Sequence, residues 1–506
     1  MSHWIIAPIL LPLFTGLLLL IGASWGRRVA RVISLASLAL LVGVELYLLA
    51  VAAEGHIALY ALGNWSPPFG IVLQLDRLAA LMLVITGVLA LFCAGYAAAG
   101  GDGPGDSLHP LIHLLLLGLN GAFLTGDLFN LFVFFEVLLL ASYALLLHGG
   151  GPHRAKAGLH YVVLNLAGSA LFLIAVALLY GVTGTLNMAD MGERIAALDP
   201  ADRPLARTGG LLLFVVFGLK AAIAPLYFWL PGAYAAAAGP VAALFAVMTK
   251  VGIYSIVRVY SLVFAPDGGS FADFLSPWLW PLALVTLALG VVGTLAARDL
   301  RQQIAYLVIV SVGTLLVGLA MNSAASLAAL LYYLVHSTWI CAVLFLLADV
   351  IRQQRGAVAD VIRRGPPLLQ GTALGILFFI AAASVVGMPP TSGFVGKVAL
   401  MQAAASPQQA IWVWPVLLLS GLLTIAALSR TGSTFFWRAE GEVTGVGRAS
   451  VGALTMIGGL LLLTLALSFA GHRILPYMEA TAAQISQPAA YSRAAAFFQP
   501  VEGGAP

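Results

Sequence analysis

An all-α, polytopic membrane protein is the fold class this sequence predicts, on three observations. Hydrophobic residues make up 61% of the 506 and charged residues only 9%, with a mean hydropathy of +1.02. A soluble domain carries roughly 25% charged residues. Apolar stretches of about 20 residues, the length that crosses a bilayer, recur along the whole chain. Two of these stretches are interrupted by proline at a depth where a membrane helix cannot simply continue.

The apolar stretches begin near residues 4, 30, 75, 108, 127, 158, 208, 239, 277, 301, 324, 370, 409 and 450, which gives about 14 transmembrane helices. The first, MSHWIIAPILLPLF, has no basic region ahead of it and no small-residue cleavage site, so a span is expected there and not a removable signal. Basic residues orient the rest. Arg27, Arg28 and Arg31 follow span 1, Arg154 and Lys156 follow span 5, and Arg298 and Arg301 follow span 9. Arg352, Arg355, Arg363 and Arg364 follow span 11, and Arg430, Arg438 and Arg448 follow span 13. In all, 14 Lys and Arg fall on that side, 7 on the other and 3 within the membrane. Odd-numbered connections are therefore expected in the cytoplasm and both termini outside. Membrane orientation accounts for the net charge of +4 better than nucleic-acid binding does. Cys93 and Cys341, the two cysteines, both fall in apolar spans, which argues against a disulfide framework or a metal cluster.

Spans 7 and 12 depart from ordinary helices. Span 7 reads LLLFVVFGLKAAIAPLYFWLPGAY, with Pro225 and Pro231 after Lys220; span 12 reads ILFFIAAASVVGMPPTSGFVGKVAL, with Pro389, Pro390 and Gly393 before Lys397. Each is expected to break, freeing carbonyls that water, ions or neighbouring side chains must satisfy. Broken helices five spans apart, with the lysine before one break and after the other, point to inverted repeats around a midplane ion site. The expected organisation is residues 1–100 for helices 1 to 3 and 108–265 for a first five-helix repeat. A second five-helix repeat follows over 277–430, then 450–506 for helix 14 and a C-terminal tail.

Ionisable residues inside the spans carry the functional reading. Lys220, Lys250 and Lys397 are three of the four lysines, and Glu136 lies within LFNLFVFFEVLLLASYALLL. Each costs roughly 3 kcal/mol at mid-bilayer if unpaired, so such groups must be paired, hydrated or functional, and several of both signs suggest a path for protons or small cations. Lys220 and Lys250 are too deep to snorkel easily; Lys397, near its glycine-rich break, could do so and serve as an anchor. Thr249 and Tyr254 could offer hydroxyls near Lys250. Glu136 is the natural partner for one of the lysines. An opposite charge within about 4–6 Å favours the charged forms while burial disfavours them, so a small change of pairing moves a proton. His336, in LLYYLVHSTWICAVLFLLADV, brings the side chain that titrates nearest neutrality, among Tyr332, Tyr333, Ser337 and Thr338. Glu45, in a peripheral span, could be structural or face a partner subunit. Asp127 and Asp349 lie near span ends, where solvation is the simpler expectation.

The sequence offers no GxxxxGK phosphate cradle, no CxxC cluster and no paired histidines at haem or zinc spacing, so no cofactor is expected and an ion gradient or a redox-active partner must supply the energy. GDLFNLFVFFEVLLLASYALLLHGG, FGLKAAIAPLYFWLPGAY, MTKVGIYSIVRV, LYYLVHSTW and GMPPTSGFVGK together resemble the proton-conducting antiporter-like family shared by respiratory complex I, membrane-bound hydrogenases and Mrp-type multisubunit cation/proton antiporters. The resemblance covers nearly the whole chain and is greatest to the Mrp-type branch. Lys397 stands where one complex I relative has glutamate. The resemblance implies that Glu136 and Lys220 form a coupled pair, Lys250 relays between halves, His336 extends the line and Lys397 is its end. It also implies a hetero-oligomer in the bacterial inner membrane that exchanges H⁺ for Na⁺, or for K⁺ or Li⁺. The alternative it leaves is a proton-pumping subunit of a complex I-like NADH:quinone oxidoreductase or a membrane-bound hydrogenase.

Overall fold

The computed structural model describes residues 2–101, 103, 105, 107–264, 274–442 and 447–496. Residue 265 of the first expected repeat and residues 497–506 of the expected tail lie outside them. Helices begin within six residues of each expected position. Among the described residues, eleven helices are long and apolar enough to cross a membrane, and Ala7–Ile21, Leu108–Leu124 and Gly371–Val386 are shorter apolar helices.

The N-terminal helices are α1 (Ala7–Ile21), α2 (Arg27–Ala53) and α3 (Arg77–Tyr96). Between α2 and α3 the chain forms a short antiparallel ribbon, β1 (Ala58–Ala61) with β2 (Val72–Leu75), in the register Ala58 to Leu75. Next come α4 (Leu108–Leu124), α5 (Leu128–Leu147) and α6 (Pro152–Thr183), then the short amphipathic α7 (Met188–Ala196). Span 7 is two pieces, α8 (Arg203–Ala221) and α9 (Trp229–Ala236), and span 8 is also two, α10 (Gly239–Phe245) and α11 (Met248–Leu262). The second half runs through α12 (Ser276–Ala296), α13 (Leu300–Ala320) and α14 (Ala324–Gln354) to a divided span 12, α15 (Gly371–Val386) and α16 (Ser392–Gln402). It closes with α17 (Pro407–Phe436), α18 (Val451–Phe469), α19 (Gly471–Ile485) and α20 (Pro488–Ala496). The C-terminal segment thus folds back as two helices, with the Tyr477 hydroxyl donating to Arg77 O at 2.9 Å.

Helix starts follow local chemistry. Asp76, Asp127 and Asp299 stand just ahead of α3, α5 and α13, and each accepts a backbone N–H three residues on at 2.7–2.8 Å. That satisfies a donor with no intrahelical partner. Loops on one end of the bundle bridge one another, Leu73 with Thr125 and Asp127 with Asn187, while Asp299 pairs with Val361 at the other. In the membrane, where lipid is as apolar as leucine, close backbone approach drives helix association. The α12–α13 contact shows it: a Cβ on Gly290 would lie 2.8 Å from Val310 N, and one on Gly313 would lie 2.7 Å from Leu287 N. Outward faces stay apolar, as at Leu159 and Leu422. The segment Gly239–Leu262 and α14 are buried throughout their apolar windows. These two innermost elements carry Lys250 and His336.

Candidate functional site

Glu136 is half-buried on α5. The Ser169 hydroxyl on α6 reaches its Oε1 and also the Asn165 carbonyl at 3.1 Å, and its single proton serves one acceptor at a time. Lys220 Nζ donates to Asn165 Oδ1 at 3.2 Å and stands 6.0 Å from the Phe135 ring centroid. The hydrogen bonds from acid and from lysine therefore meet on α6; the two groups form no ion pair within 4 Å. Asn165 and Ser169 were missed in the sequence, although an amide and a hydroxyl side chain four residues apart in the apolar part of the helix were the signal.

Below Lys220 the chain leaves the helix at Ala222, which takes a left-handed conformation with φ 59°. Pro225 lies in the non-helical stretch, and Pro231 sits in the first turn of α9, where a missing N–H is tolerated. Freed carbonyls find donors: Ile223 N reaches Gly218 O at 2.8 Å and Trp229 Nε1 reaches Leu219 O at 3.0 Å. The Ala224 N–H goes to Thr286 Oγ1 of α12 at 3.0 Å. A cavity of about 10 Å³ touches Lys220, Asn165, Trp229 and Met248, and so joins the broken helix to the start of α11.

Lys250 is fully buried, and span 8 is interrupted at residues 246 and 247 just before it, a second kind of break that no proline announces. Its ammonium donates to Ser311 Oγ of α13 at 2.7 Å, with Thr249 Oγ1 at 3.4 Å. Tyr254 belongs elsewhere: its hydroxyl donates to Phe123 O at 2.7 Å and accepts from Arg258 Nε at 3.0 Å.

Span 12 breaks at Gly387 to Thr391, around Pro389 and Pro390, with Gly387 at φ 89°. Lys397, buried, donates to Val386 O at 2.6 Å, the carbonyl end of the broken α15. It does not snorkel. Gly393 lies in the first turn of α16, where a Cβ would come within 2.0 Å of Ser384 O and 2.8 Å of His336 Nε2. His336 Nδ1 pairs with Ser392 Oγ at 2.9 Å. Of the polar neighbours expected around His336, Tyr333 lies against it at 5.7 Å between ring centroids, whereas Tyr332 donates to Leu467 O of α18. A second cavity of about 10 Å³ is lined by Ser311, Tyr333, His336, Cys341 and Lys397. Ser311, the acceptor of Lys250, thus opens onto the His336 and Lys397 site. Neither Lys250 nor Lys397 lies within 4 Å of a carboxylate among the described residues.

The remaining intramembrane acids are structural or lie off this strip. Asp127 is buried as the α5 cap, not solvated, and Asp349 is buried with Tyr96, Gln353 and Arg352 as partners at 2.9–3.0 Å. Asp76 and Arg258, 182 positions apart, form a buried bidentate pair at 2.5 and 2.8 Å that Tyr491 of α20 completes. Glu45 is fully buried among α3 and α4 and faces no partner subunit.

A broken-helix bundle threaded by buried lysines defines an ion-translocating membrane protein, and the comparisons agree. The family model described as NADH:quinone oxidoreductase/Mrp antiporter, TM, matches residues 125–424, so the chain belongs to that family. Within it the chain is of the D type among Mrp antiporter subunits. A probable K(+)/H(+) antiporter D-type subunit of Rhizobium meliloti (strain 1021) is 43% identical over 97% of each chain. The Na(+)/H(+) antiporter D-type subunit of Bacillus subtilis (strain 168) is 36% identical over 98% of this chain and 99% of its own. A chain of the Mrp complex from Dietzia sp. DQ12-45-1b superposes with a TM-score of 0.88 at 29% identity, covering 98% of this chain and 100% of that one.

Proposed function

We propose that the chain is the proton- and cation-translocating subunit of a multisubunit monovalent cation/proton antiporter, a transporter and not an enzyme, and that its path runs from Glu136 through Lys220, Lys250 and His336 to Lys397. The observation that carries the path is its near-continuity: Glu136, Ser169, Asn165 and Lys220 are linked in one hydrogen-bonded set, one water-sized cavity reaches from Lys220 to Met248, two residues before Lys250, and another reaches from Ser311, the acceptor of Lys250, to His336 and Lys397.

The mechanism is electrostatic. A buried ammonium without a carboxylate is costly unless dipoles hold it, and here hydroxyls and a carbonyl do so. When Glu136 gains or loses a proton, Ser169 swings its hydroxyl between the carboxylate and the Asn165 carbonyl, which changes the field on Lys220. Lys220 then exchanges a proton with the cavity toward α11, and each arrival alters the charge balance of the next group, so the groups titrate as a set. The two broken helices act as matched half-channels of inverted five-helix repeats over 108–265 and 277–430. Exchange needs the other subunits of the complex in the bacterial inner membrane. The excess of basic residues in the odd-numbered connections supports a cytoplasmic position for those connections, with both termini outside. Relatives named as antiporter subunits favour this reading over a quinone-linked one.

The test is cation-dependent ΔpH in everted vesicles from an antiporter-deficient host that expresses the full complex, with Na⁺ and K⁺ added separately. Dissipation of ΔpH by either cation supports the reading; no response to any monovalent cation sinks it.

A further inference from the structure

The N-terminal helices bury a second polar set that the lysine strip does not touch. Pro12 inside α1 has no N–H, so the carbonyl of Pro8, four residues earlier, lacks its helical donor. Asn120 Nδ2 of α4 takes that place at 2.9 Å. The same amide lies 3.4 Å from Glu45 Oε1 on α2. Glu45 is 0% exposed, and its second oxygen has no hydrogen-bond partner; nor have Asn120 Oδ1 and Thr86 Oγ1, both as deeply buried. The carboxyl fits only because α3 carries Gly87 beside it, where a Cβ would fall 1.8 Å from Oε2. No lysine or arginine pairs with Glu45 among the described residues. A bare carboxylate there would face apolar walls, whereas the protonated acid is neutral and gains a donor.

A row of polar groups runs toward it. Ser34 lies eleven residues before Glu45, three helical turns along the same face of α2. It stands between two α4 histidines, 3.0 Å from His109 Nδ1 and 3.1 Å from His113 Nε2. Imidazole and hydroxyl groups both donate and accept, so a proton entering at one end of this row can leave at the other. At the outer end His109 lines a cavity of about 20 Å³ with Arg27 and Gly105. His113 Nδ1, fully buried and without a partner, is the inner end. From His113 to Asn120 is two turns of α4, about 10 Å. The titratable groups on the surrounding elements are His109 and His113 on α4, Arg77, Cys93 and Tyr96 on α3 and His3 in the turn before α1; the helix α1 has none.

We propose that Glu45 is a second proton-holding site of the chain, a buried carboxylic acid that exchanges its proton through His113, Ser34 and His109 with the Arg27 end of the bundle. This branch is separate from the lysine strip. Its imidazole and hydroxyl groups, which both donate and accept, suit a proton.

Infrared difference spectroscopy of the purified complex, transferred from ¹H₂O to ²H₂O, tests it. The expected result is a protonated-carboxyl band present in wild type, missing in Glu45→Gln and retained in Glu136→Gln. Ser34→Ala is expected to keep the band but slow its deuterium exchange by roughly a hundredfold, the lower end of what a positioned proton-transfer group supplies. Asn120→Leu, which leaves the acid in place, is expected to move the band; with Ser34→Ala it keeps the test decisive if Glu45→Gln does not assemble. A band that survives Glu45→Gln or stays unmoved in Asn120→Leu overturns the assignment. Wild-type exchange in Ser34→Ala overturns the relay. No arm reads cation exchange, so the outcome is independent of the antiport reading.

Discussion

The two broken helices solve one problem in opposite ways. At the first, the freed carbonyls of α8 are taken by Ile223 N and the Trp229 indole, which leaves Lys220 to reach sideways to Asn165 and, through Ser169, to an acid. At the second, Lys397 itself serves the freed carbonyl of Val386, and the partner across the gap is a histidine instead of a carboxylate. The first lysine can be switched by a nearby negative charge. The second is tied to the break, so a change in its charge bears directly on the helix end that holds it. On the proposed path, the first site sets the charge and the second couples charge to backbone.

The largest expected effect falls on the first site. Glu136→Ala and Lys220→Ala are each expected to reduce cation-dependent ΔpH in everted vesicles by about a hundredfold or more, the usual contribution of a positioned proton-transfer group. Complex assembly should be unchanged, since no ion pair depends on either residue. Lys397→Met should differ in kind. Exchange is expected to fall, and the complex is expected to lose about 1–3 kcal/mol because Val386 O is stranded. Thermal unfolding in detergent measures that, and an unshifted midpoint would erase the contrast between the two breaks.

Gly393→Ala sharpens the same contrast. Its Cβ would strike Ser384 O and the His336 ring, so about 1–3 kcal/mol of destabilisation is expected, read in the same unfolding assay. At Gly218 beside the first break the nearest atom to a Cβ is 3.6 Å away, and Gly218→Ala is expected to be near neutral. Ser169→Ala is expected to slow exchange by roughly tenfold, less than removal of Glu136, because Asn165 still holds Lys220. The smallest effect is set for Tyr254→Phe. It should cost about 1 kcal/mol of stability and leave the exchange rate intact, since that hydroxyl serves Phe123 O and Arg258.

How much of this was legible in the sequence follows from how local each signal is. Span positions and the two proline breaks are local, because apolar length and a missing N–H act where they stand. Lys220, Lys250, His336 and Lys397 stood out because charge or imidazole in an apolar run is conspicuous. What joins them was not legible. Asn165 and Ser169 are uncharged and cheap enough in a helix to pass unnoticed, and only the packing of α6 against α5 and α8 makes them a bridge. The interruption before Lys250 has no proline or glycine to mark it. Asp76 and Arg258 each sit near a span end, where a solvated charge is the ordinary outcome, and only folding over 182 positions makes them a buried pair. Tyr254 shows the converse error: nearness to Lys250 in sequence placed its hydroxyl in the relay, while its direction on α11 sends it to Arg258.

On the proposed path, Glu136 and Lys220, though not in contact, work as one unit. Cation-dependent ΔpH in everted vesicles of the assembled complex, compared among wild type, Glu136→Ala and Lys220→Ala at equal protein level, tests it most directly. Loss of exchange in both variants is the expected result. Wild-type exchange in either one would contradict it.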